Sequence, residues 1–525
     1  MTRKTWVLAL LVVARLATAQ ATTTVPPGAR VYRDIERLGA LGLIDTLLMG
    51  ARPYSERDIT RMLLAARAHV DRNPAASEWA ERVIQGDLAH YGVHENRPFD
   101  AAQAEAVLLD SPFRPAPSDP NGVIDATINP LAANRGGRPI ADGSTLGVET
   151  WHSATLGPYV AAAIAPRVTF LDWRGGGASS VHASIQAGEL SALVAGLSLE
   201  VGRAYTVFGQ SSTGGLLFSP SGPPLDMVRL SNDVPWTVPL VSRILGPLRG
   251  ELLVADLGTR EIHPHSKLVG YHLAALPHPQ FELGVEVIDA MGGAGGPPAS
   301  FGDRVLDAIP IFDALRTGSD FQFSNKIAGV DARWRMPRWA GFELYLEGDV
   351  DDFDPRRLRS SLLEDGGYLA GMSFSCLVSC GALSVRAEYH QTGIRYYTHN
   401  DYPIESRGQL LGDPLGPRGI GAYLDVDDDL GARGTLSLEG AFEIRSGNLY
   451  GSDTTGARDA GFHFVQTVHR PGEKRWRGLV TWTARDAARI APRISGGIER
   501  VSNYAFVAGA ARTNAIGEIG LAVRP

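Results

Sequence analysis

The chain has 525 residues, of which 44% are hydrophobic and 20% are charged, and its formal net charge is −7. An acidic chain lacks the basic surface that nucleic acid requires, so we expect no nucleic-acid partner. Beyond the N-terminal segment there is no run of about 18 apolar residues, which excludes a protein that crosses a membrane with helices.

Residues 1–19 have the pattern of a secretory signal peptide. Arg3 and Lys4 precede an apolar stretch, and Ala17-Thr18-Ala19 forms a small-residue cleavage site. Arg15 interrupts the apolar stretch, which is therefore too short to span a bilayer. We predict export with cleavage near Ala19, followed by a flexible tail over residues 20–30.

Residues 31–95 show a helical period, beginning with Tyr32, Ile35 and Leu38 at three-residue steps. Ser55 opens the sequence Ser-Glu-Arg-Asp, which resembles a capping box at the start of a second helix. These patterns predict a small periplasmic helical bundle, which is smaller than an enzyme domain usually is. We assign residues 96–120 to a linker.

From residue 121 onwards the hydrophobic period changes to two. The segments TLSLEGAFEI (435–444), LSVRAEYH (383–390) and GVDARWRM (329–336) each alternate apolar with polar side chains. No segment between the strands is helical and long enough for a parallel crossover. We therefore predict an all-β, antiparallel transmembrane barrel over residues 121–525. The pattern gives about 19 strands, and because chain ends on one side require an even number, we estimate eighteen.

The connections between these strands differ in length. Short connections are predicted at 155–159, 276–280, 335–341, 376–380 and 469–475, and long ones at 208–235, 291–325, 352–366, 391–418 and 446–459. Short turns on one side and long loops on the other are typical of outer-membrane barrels. The long loops are then expected at the cell exterior.

The segment FELYLEGDVDDF (342–353) has two interpretations, because its carboxylates suggest either a catalytic pair or one face of a barrel wall. Glu343 and Glu347 lie four residues apart, roughly 13 Å along a strand. That separation exceeds the spacing of about 6.5–9.5 Å in inverting glycosidases. We favour ion pairs in a water-filled lumen, formed by Asp331, Arg333, Arg335, Glu343, Glu347, Arg386 and Glu388.

Residues that bind metals are present, but their spacing does not favour a metal site. Cys376 and Cys380 flank a tight turn, and an exported protein favours a disulfide there over two free thiols. His263 and His265 have no third ligand nearby in sequence. The acidic run at 425–431 lacks the glycine and glutamate of a calcium loop and is interpreted as a solvated strand end. We predict no metal and no cofactor.

Three segments resemble the Wzi family of capsule-assembly proteins. They are residues 32–66 (YRDIERLGALGLIDTLLMGARPYSERDITRMLLAA), 325–352 (NKIAGVDARWRMPRWAGFELYLEGDVDD) and 407–428 (RGQLLGDPLGPRGIGAYLDVDD). The resemblance implies a monomeric 18-stranded outer-membrane barrel with a small periplasmic helical element. It also implies a lectin-like role in holding capsular or other surface polysaccharide at the cell exterior. The chain departs from outer-membrane barrels in general by ending GLAVRP rather than on an aromatic residue.

The loop GIRYYTHNDYP (393–403) combines aromatic rings with planar polar groups, as sugar binding requires. The candidate sugar-binding residues are Tyr396, Tyr397, His399, Asn400, Asp401 and Tyr402, with Trp236 as a weaker candidate. The alternative is an aromatic belt at the membrane interface, which also enriches tyrosine.

We therefore predict a non-enzymatic barrel that binds surface polysaccharide. Its other partners would be outer-membrane lipid, lipopolysaccharide and the barrel-assembly machinery. The first alternative is a porin. A surface hydrolase is a remote second, since GQSSTGG (209–215) has the wrong spacing for a nucleophile elbow and no βα unit precedes it.

Overall fold

The computed structural model describes residues 20–92, 99–117, 122–175, 177–211, 215–308, 323–351, 358–453, 463–485 and 489–523. The predicted signal peptide lies outside them. Eighteen long strands form the body of the molecule. They are β1 (Phe99–Asp110), β2 (Gly143–Leu156), β3 (Val160–Trp173), β4 (Ser180–Val194), β5 (Leu197–Ala204), β6 (Leu225–Asn232), β7 (Leu248–Asp256), β8 (Lys267–His278), β9 (Phe281–Met291), β10 (Ser324–Met336), β11 (Phe342–Asp351), β12 (Gly366–Phe374), β13 (Leu383–Thr392), β14 (Gly419–Asp429), β15 (Thr435–Arg445), β16 (Glu473–Thr483), β17 (Ile490–Ser502) and β18 (Ala511–Val523).

These strands close into one antiparallel barrel. Each strand pairs with the next along the chain, and β18 pairs with β1, with Val523 opposite Ala102. The predicted fold class and the estimate of eighteen strands are confirmed. Among the described residues, no helix is long and apolar enough to cross a bilayer.

The period of two seen in the sequence separates the two faces of the wall. On β10 and β11, Trp334 and Leu346 are exposed on the outer face, while Arg333 and Glu343 are buried on the inner face. Alternate side chains of a strand point to opposite faces, so the apolar set forms an outer surface suited to lipid.

The two ends of the barrel differ. One end, the helix end, carries the N-terminal helices and the connections 157–159, 195–196, 233–247, 337–341 and 375–382. The opposite end, the loop end, carries the longer connections 111–142, 205–224, 257–266 and 393–418. Two predicted connections need correction. The predicted loop 208–235 contains strand β6. Of the predicted short connection 469–475, residues 469–472 belong to the loop-end connection between β15 and β16, and residues 473–475 begin β16.

The barrel begins earlier in the chain than we predicted. Residues 99–110, assigned to a linker, form β1, which closes the barrel between β18 and β2. The predicted flexible tail is also wrong. Ala21 is buried, and both the backbone N–H and the hydroxyl of Thr24 donate to the Glu189 carboxylate, at 2.6 and 2.5 Å. These hydrogen bonds hold the tail against β4.

The region predicted to be helical contains three helices, α1 (Val31–Ala40), α2 (Glu56–Ala68) and α3 (Ser77–Tyr91). The Ser55 hydroxyl accepts the Asp58 N–H at 3.1 Å and so caps α2. The remaining helices are short: α4 (Ser242–Leu245), α5 (Phe301–Asp307) and α6 (Leu358–Glu364), with 3₁₀ turns at Val70–Arg72, Pro130–Ala132, Gly431–Arg433 and Tyr504–Phe506.

Acidic residues at the end of β14 hold the helices on the barrel. Arg33 of α1 pairs with Asp427 at 3.0 Å, and Trp79 Nε1 of α3 donates to Asp429 at 3.1 Å. Arg82 adds a contact of 3.4 Å with Asp429. The acidic run 425–431 is therefore a docking site for the helices, which corrects its interpretation as a solvated strand end.

The lumen is filled by protein, whereas we predicted a water-filled lumen. We call the segments that fill it the plug: residues 47–52, 207–211, 215–219 and 396–411. Within the plug, Ala51–Arg52 pairs as a short strand with Val207–Phe208, and Ser219 N–H donates to Leu411 O at 2.8 Å. Other short pairs join Arg114–Pro115 to Thr127–Ile128, Glu405–Ser406 to Gln409–Leu410, and Leu449–Ser452 to Phe464–Val468.

Candidate functional site

Three of the predicted inward charges form one buried cluster on β10 and β11. Glu343 lies 3.1 Å from Arg333 Nη1 and 3.2 Å from Arg335 Nε. Helix α1 contributes Glu36, which is 2.8 Å from Arg333 and also pairs with Arg386 on β13. Arg333, Arg335, Glu343 and Glu36 are buried and Arg386 is partly buried, so their mutual pairing compensates for lost hydration.

The other predicted inward acids contact the plug. Glu347 accepts backbone N–H groups from Gln210, from Ser211 at 2.8 Å and from Leu216 at 3.3 Å. Asp331 contacts the Gln210 side chain and the His272 imidazole, the latter at 2.8 Å. These two acids therefore position the plug against the wall.

Glu388 lies in a second buried polar network. The Ser211 hydroxyl donates to this carboxylate at 3.1 Å, and Tyr345 OH also donates to it. The His390 ring bridges Glu388 and Asp413 through its two nitrogens. Ser211 of the plug is thus hydrogen-bonded to a carboxylate of wall strand β13.

The predicted aromatic platform is not at the surface. Tyr396, Tyr397 and Tyr402 are at most 2% exposed. Their hydroxyls donate to Asp349 Oδ2 at 3.2 Å, to Leu216 O, and to Gly292 O at 3.0 Å, respectively. The loop folds inward because each buried hydroxyl finds a partner inside the barrel. The tyrosine rings therefore cannot stack on an external sugar in this conformation, which corrects the prediction.

The polar residues of the same loop lie nearer the surface. Asn400 is exposed, and Asp401 pairs with His263 at 2.9 Å. The His399 ring faces its own loop, where Nδ1 accepts the N–H groups of Asp401 and Tyr402 at 3.1 Å. Of the predicted sugar-binding set, Asn400 and Asp401 thus lie on the loop-end surface.

Trp236 lies at the wrong end of the molecule for an external sugar site. Trp236 lies in the connection between β6 and β7, at the helix end, and forms an isolated β-bridge with Leu248, the first residue of β7. The sequence placed it in a long loop because strand β6 was not recognised.

The outer surface of the plug includes a hairpin that no sequence pattern had singled out. Glu405–Ser406 pairs with Gln409–Leu410, and Arg407 and Gly408 form its tip in left-handed conformations. Arg407 lies 3.3 Å from Asp226, and Arg260 lies 3.9 Å from Asp125. Arg260 and Asp125 are 66% and 80% exposed. We call Asp125, Asp226, Arg260, Asn400, Asp401 and Arg407 the cap surface.

Two carboxylates lie beneath the hairpin tip. Glu261 accepts the Arg407 N–H at 3.3 Å, and Glu405 accepts the Asp125 N–H at 3.0 Å. Burial and the neighbouring Glu405 charge raise the pKa of Glu261 to about 8, and burial also raises the pKa of Glu405. The hairpin is therefore held in part by Glu261, whose pKa of about 8 lies close to neutral pH.

Cys376 and Cys380 are joined by a disulfide at the helix end and pack against the helical cluster. One group in the described part of the chain has the composition of a metal site. It consists of His272, Glu286 and Asp331, which lie far apart in sequence and are brought together by the wall.

The family model of the capsule assembly protein Wzi matches residues 121–516, three quarters of the chain. The structure of Escherichia coli Wzi, an outer-membrane protein involved in group 1 capsule assembly and described as a carbohydrate-binding β-barrel, aligns with a TM-score of 0.66 at 15% identity. The alignment covers 95% of this chain and 99% of that one.

OprD from Pseudomonas aeruginosa aligns with a TM-score of 0.43 at 8% identity, over 82% of this chain and 97% of that one. No curated protein sequence matches. This chain belongs to the Wzi capsule assembly family.

Proposed function

We propose that this member of the Wzi family binds surface polysaccharide at its cap surface, without catalysis, and so anchors capsular polymer at the cell exterior. The observation that carries the proposal is the closed loop end: the plug fills the lumen, and a polar surface lies above it. A surface of this kind offers hydroxyl-binding groups to a polymer that stays outside. E. coli Wzi, described as a carbohydrate-binding barrel, shares the fold.

The chemistry of the cap surface suits a polysaccharide. The exposed guanidinium of Arg260 can donate several hydrogen bonds to sugar hydroxyls or carboxylates, while Asp125 and Asn400 can accept them. Arg407 pairs with Asp226 at 3.3 Å and Arg260 with Asp125 at 3.9 Å. These ion pairs orient the side chains, and the polar atoms that face solvent stay available for hydrogen bonds with a sugar.

The same closure argues against a porin. Arg52 Nη2 in the plug donates to Gly209 O and Ser211 O at 3.0 and 2.6 Å, so two inserted segments are joined across the lumen. We expect an electrically silent barrel in planar bilayers. A stable open-channel conductance would contradict the closed lumen.

We further propose that the chain works as a monomer in the outer membrane, among lipid and lipopolysaccharide. It would arrive there after cleavage near Ala19 and insertion by the barrel-assembly machinery. The apolar outer face of the strands, exemplified by Trp334 and Leu346, supports direct contact with lipid.

A retention experiment tests the binding proposal. Purified protein in detergent is passed over immobilised capsular polysaccharide, and we compare wild type with the double variant Arg260→Ala/Arg407→Ala. We expect wild type to be retained and the double variant to lose at least about tenfold in affinity, as two guanidinium contacts are removed. Arg72→Ala is the matched control, because Arg72 forms an exposed ion pair at the helix end.

The possible outcomes have separate meanings. Equal retention of wild type and double variant would place the binding site elsewhere on the molecule. Loss of retention in Arg72→Ala would indicate binding at the helix end. Failure of wild type to bind any surface polysaccharide of its own organism would contradict the proposed function.

A further inference from the structure

We propose that His272, Glu286 and Asp331 form a buried site for one divalent cation, of the kind typified by Zn²⁺, that fixes the plug to the barrel wall. One ligand atom from each of the three residues lies within 4.8 Å of the others. The residues come from three consecutive strands, β8, β9 and β10. This site is separate from the cap surface and does not depend on polysaccharide binding.

The strand register produces the cluster. His272 and Glu286 are directly opposite each other in the pairing of β8 with β9. Asp331 lies on β10, opposite Gly284 of β9, two residues from Glu286 along that strand. All three side chains point into the lumen at neighbouring levels, so the fixed geometry of the wall brings them together.

Glu286 is the observation that points to a ligand. Its side chain is 1% exposed, and among the described residues no N–H or hydroxyl group donates to either carboxylate oxygen; the polar group that lies against it is another acid, the Asp349 carboxyl. A buried carboxylate without donors is costly, and such groups normally bind a cation or carry a proton. His272 is also buried, and its Nδ1 has no partner in the described part of the chain.

The surrounding charge is one-sided. Asp349 and Glu347 lie on the adjacent strand β11, and Glu286 and Asp349 face each other across Gly329 in the register. The groups that donate to Glu347 and Asp349 are neutral, namely backbone N–H groups and the Tyr396 hydroxyl. Asp331 contacts the Gln210 amide and the His272 imidazole.

The neighbouring arginines on the wall, Arg333 and Arg335, have ion pairs with other acids, namely Glu36, Glu282 and Glu343. A divalent cation would supply the missing positive charge.

Two glycines make room for the carboxylates. A Cβ on Gly284 would lie 2.0 Å from Asp331 Oδ2, and a Cβ on Gly329 would lie 1.4 Å from Asp349 Oδ1. Any larger residue at either position would displace an acid. The wall is therefore built to hold these carboxylates close together.

The ligand set indicates the class of ion. One imidazole nitrogen with carboxylate oxygens suits Zn²⁺ or another first-row divalent ion, whereas Ca²⁺ prefers six to eight oxygen ligands. A Zn²⁺ ion there would also be close to the plug, because Asp331 contacts Gln210, and a Cβ on Gly50 would lie 2.7 Å from the His272 ring. Metal binding would thus be linked to plug stability.

The experiment uses the mature full-length protein in detergent, treated with a chelator, incubated with Zn²⁺ and desalted. We expect about one Zn²⁺ per chain by mass spectrometry of the metal, and a higher melting temperature than in the chelated form. Glu286→Gln and His272→Gln should each reduce the bound Zn²⁺ at least about tenfold and abolish the shift in melting temperature. Ca²⁺ in place of Zn²⁺ should give no shift.

Glu499→Gln is the matched control. Glu499 is a buried wall carboxylate on β17, but it pairs with Arg475 at 3.1 Å, so its loss should leave Zn²⁺ binding unchanged. Full Zn²⁺ binding by both Glu286→Gln and His272→Gln would overturn the proposal. The proposal would also be overturned if the wild type bound no Zn²⁺ and melted at or below the melting temperature of Glu286→Gln. In that case Glu286 would carry a proton in place of a bound cation.

Discussion

Two stretches of the barrel wall both bury charged side chains but balance the charges differently. On β15 to β18, each buried acid has a guanidinium: Glu499 is 3.1 Å from Arg475, and Glu443 is 3.1 Å from Arg477. On β9 to β11, Glu286 has no ion pair among the described residues. We call these the balanced wall and the acidic wall.

The difference shows that inward charge alone does not define a water-filled lumen. The balanced wall satisfies its charges within the strands. The acidic wall depends on partners that come from elsewhere in the chain, such as Gln210 for Asp331 and Ser211 N–H for Glu347. The plug and the acidic wall therefore require each other.

The largest expected effect comes from breaking the ion pairs that join α1 to the acidic wall. Arg333→Met leaves Glu36 and Glu343 with fewer partners in a buried site, so we expect a loss of about 3–5 kcal/mol in the free energy of unfolding. Urea unfolding in detergent, followed by tryptophan fluorescence, measures it. Arg493→Gln removes a half-exposed pair with Glu518 and should cost less than about 1 kcal/mol. Similar losses of unfolding free energy in the two variants would contradict the distinction between the buried ion pairs of Arg333 and the half-exposed pair of Arg493.

A smaller effect is expected from filling the space between the acids. Gly329→Ala places a methyl group 1.4 Å from Asp349 Oδ1 and should cost about 1–3 kcal/mol, because the carboxylate must move. In the balanced wall, a Cβ on Gly478 would meet nothing within 4 Å. Gly478→Ala is therefore expected to be neutral in the same unfolding experiment. A neutral Gly329→Ala would mean that the acidic wall tolerates a side chain there.

The packing of the plug segments can be weakened by removing a single hydroxyl. Tyr397 OH donates to Leu216 O and accepts the Asp413 N–H at 2.8 Å. Tyr397→Phe should cost about 1–2 kcal/mol and speed hydrogen exchange in residues 396–411. Tyr389→Phe, on the exposed outer face, serves as the control and should leave exchange unchanged. Unchanged exchange in Tyr397→Phe would show that the hydroxyl does not hold the loop.

The smallest expected effect is a pH dependence of the cap. The pKa of Glu261 rises from 4.5 to about 8 on folding, so the folded state favours the protonated acid. The contribution of Glu261 to the stability of the folded state is therefore fully present below pH 4.5 and is lost as the pH rises through about 8. We expect faster proteolysis of the 405–410 hairpin at pH 9 than at pH 5.

Glu261→Gln should remove most of that difference, because an amide cannot ionise. Glu56→Gln is the control: burial raises the pKa of Glu56 to about 7, but this residue lies at the helix end, so the hairpin should keep its pH dependence. A hairpin that is cleaved equally at both pH values in wild type would contradict the assignment.

The barrel wall could be predicted from the sequence because the alternation of apolar and polar side chains involves only neighbouring residues. The alternation around Phe342, Leu344 and Leu346 needs only neighbouring residues, and the structure places these side chains on the outer face of β11, opposite Glu343 and Glu347. The helices were predicted for the same reason, since Ser55 caps α2 through a residue three positions away. Strand β6 was missed because the eight residues Leu225–Asn232 lie between loops rich in proline and glycine.

The candidate sites could not be predicted from the sequence, because their contacts join residues that are far apart in sequence. Tyr396 and Tyr397 are adjacent to exposed polar residues, and nothing in the loop itself indicates that their hydroxyls reach Asp349 and Leu216 inside the barrel. His272, Glu286 and Asp331 are ordinary inward residues of three separate strands until the register aligns them.

Local patterns in the sequence were enough to predict the architecture: N-terminal helices and an 18-stranded wall, apolar outside and charged inside. That the lumen is closed, which carboxylates have partners and which polar groups reach the loop-end surface became clear from the folded chain alone. The reason is physical. Strand alternation and helix capping act over a few residues, whereas plug insertion and strand register bring together groups more than a hundred positions apart, such as Gln210 and Asp331.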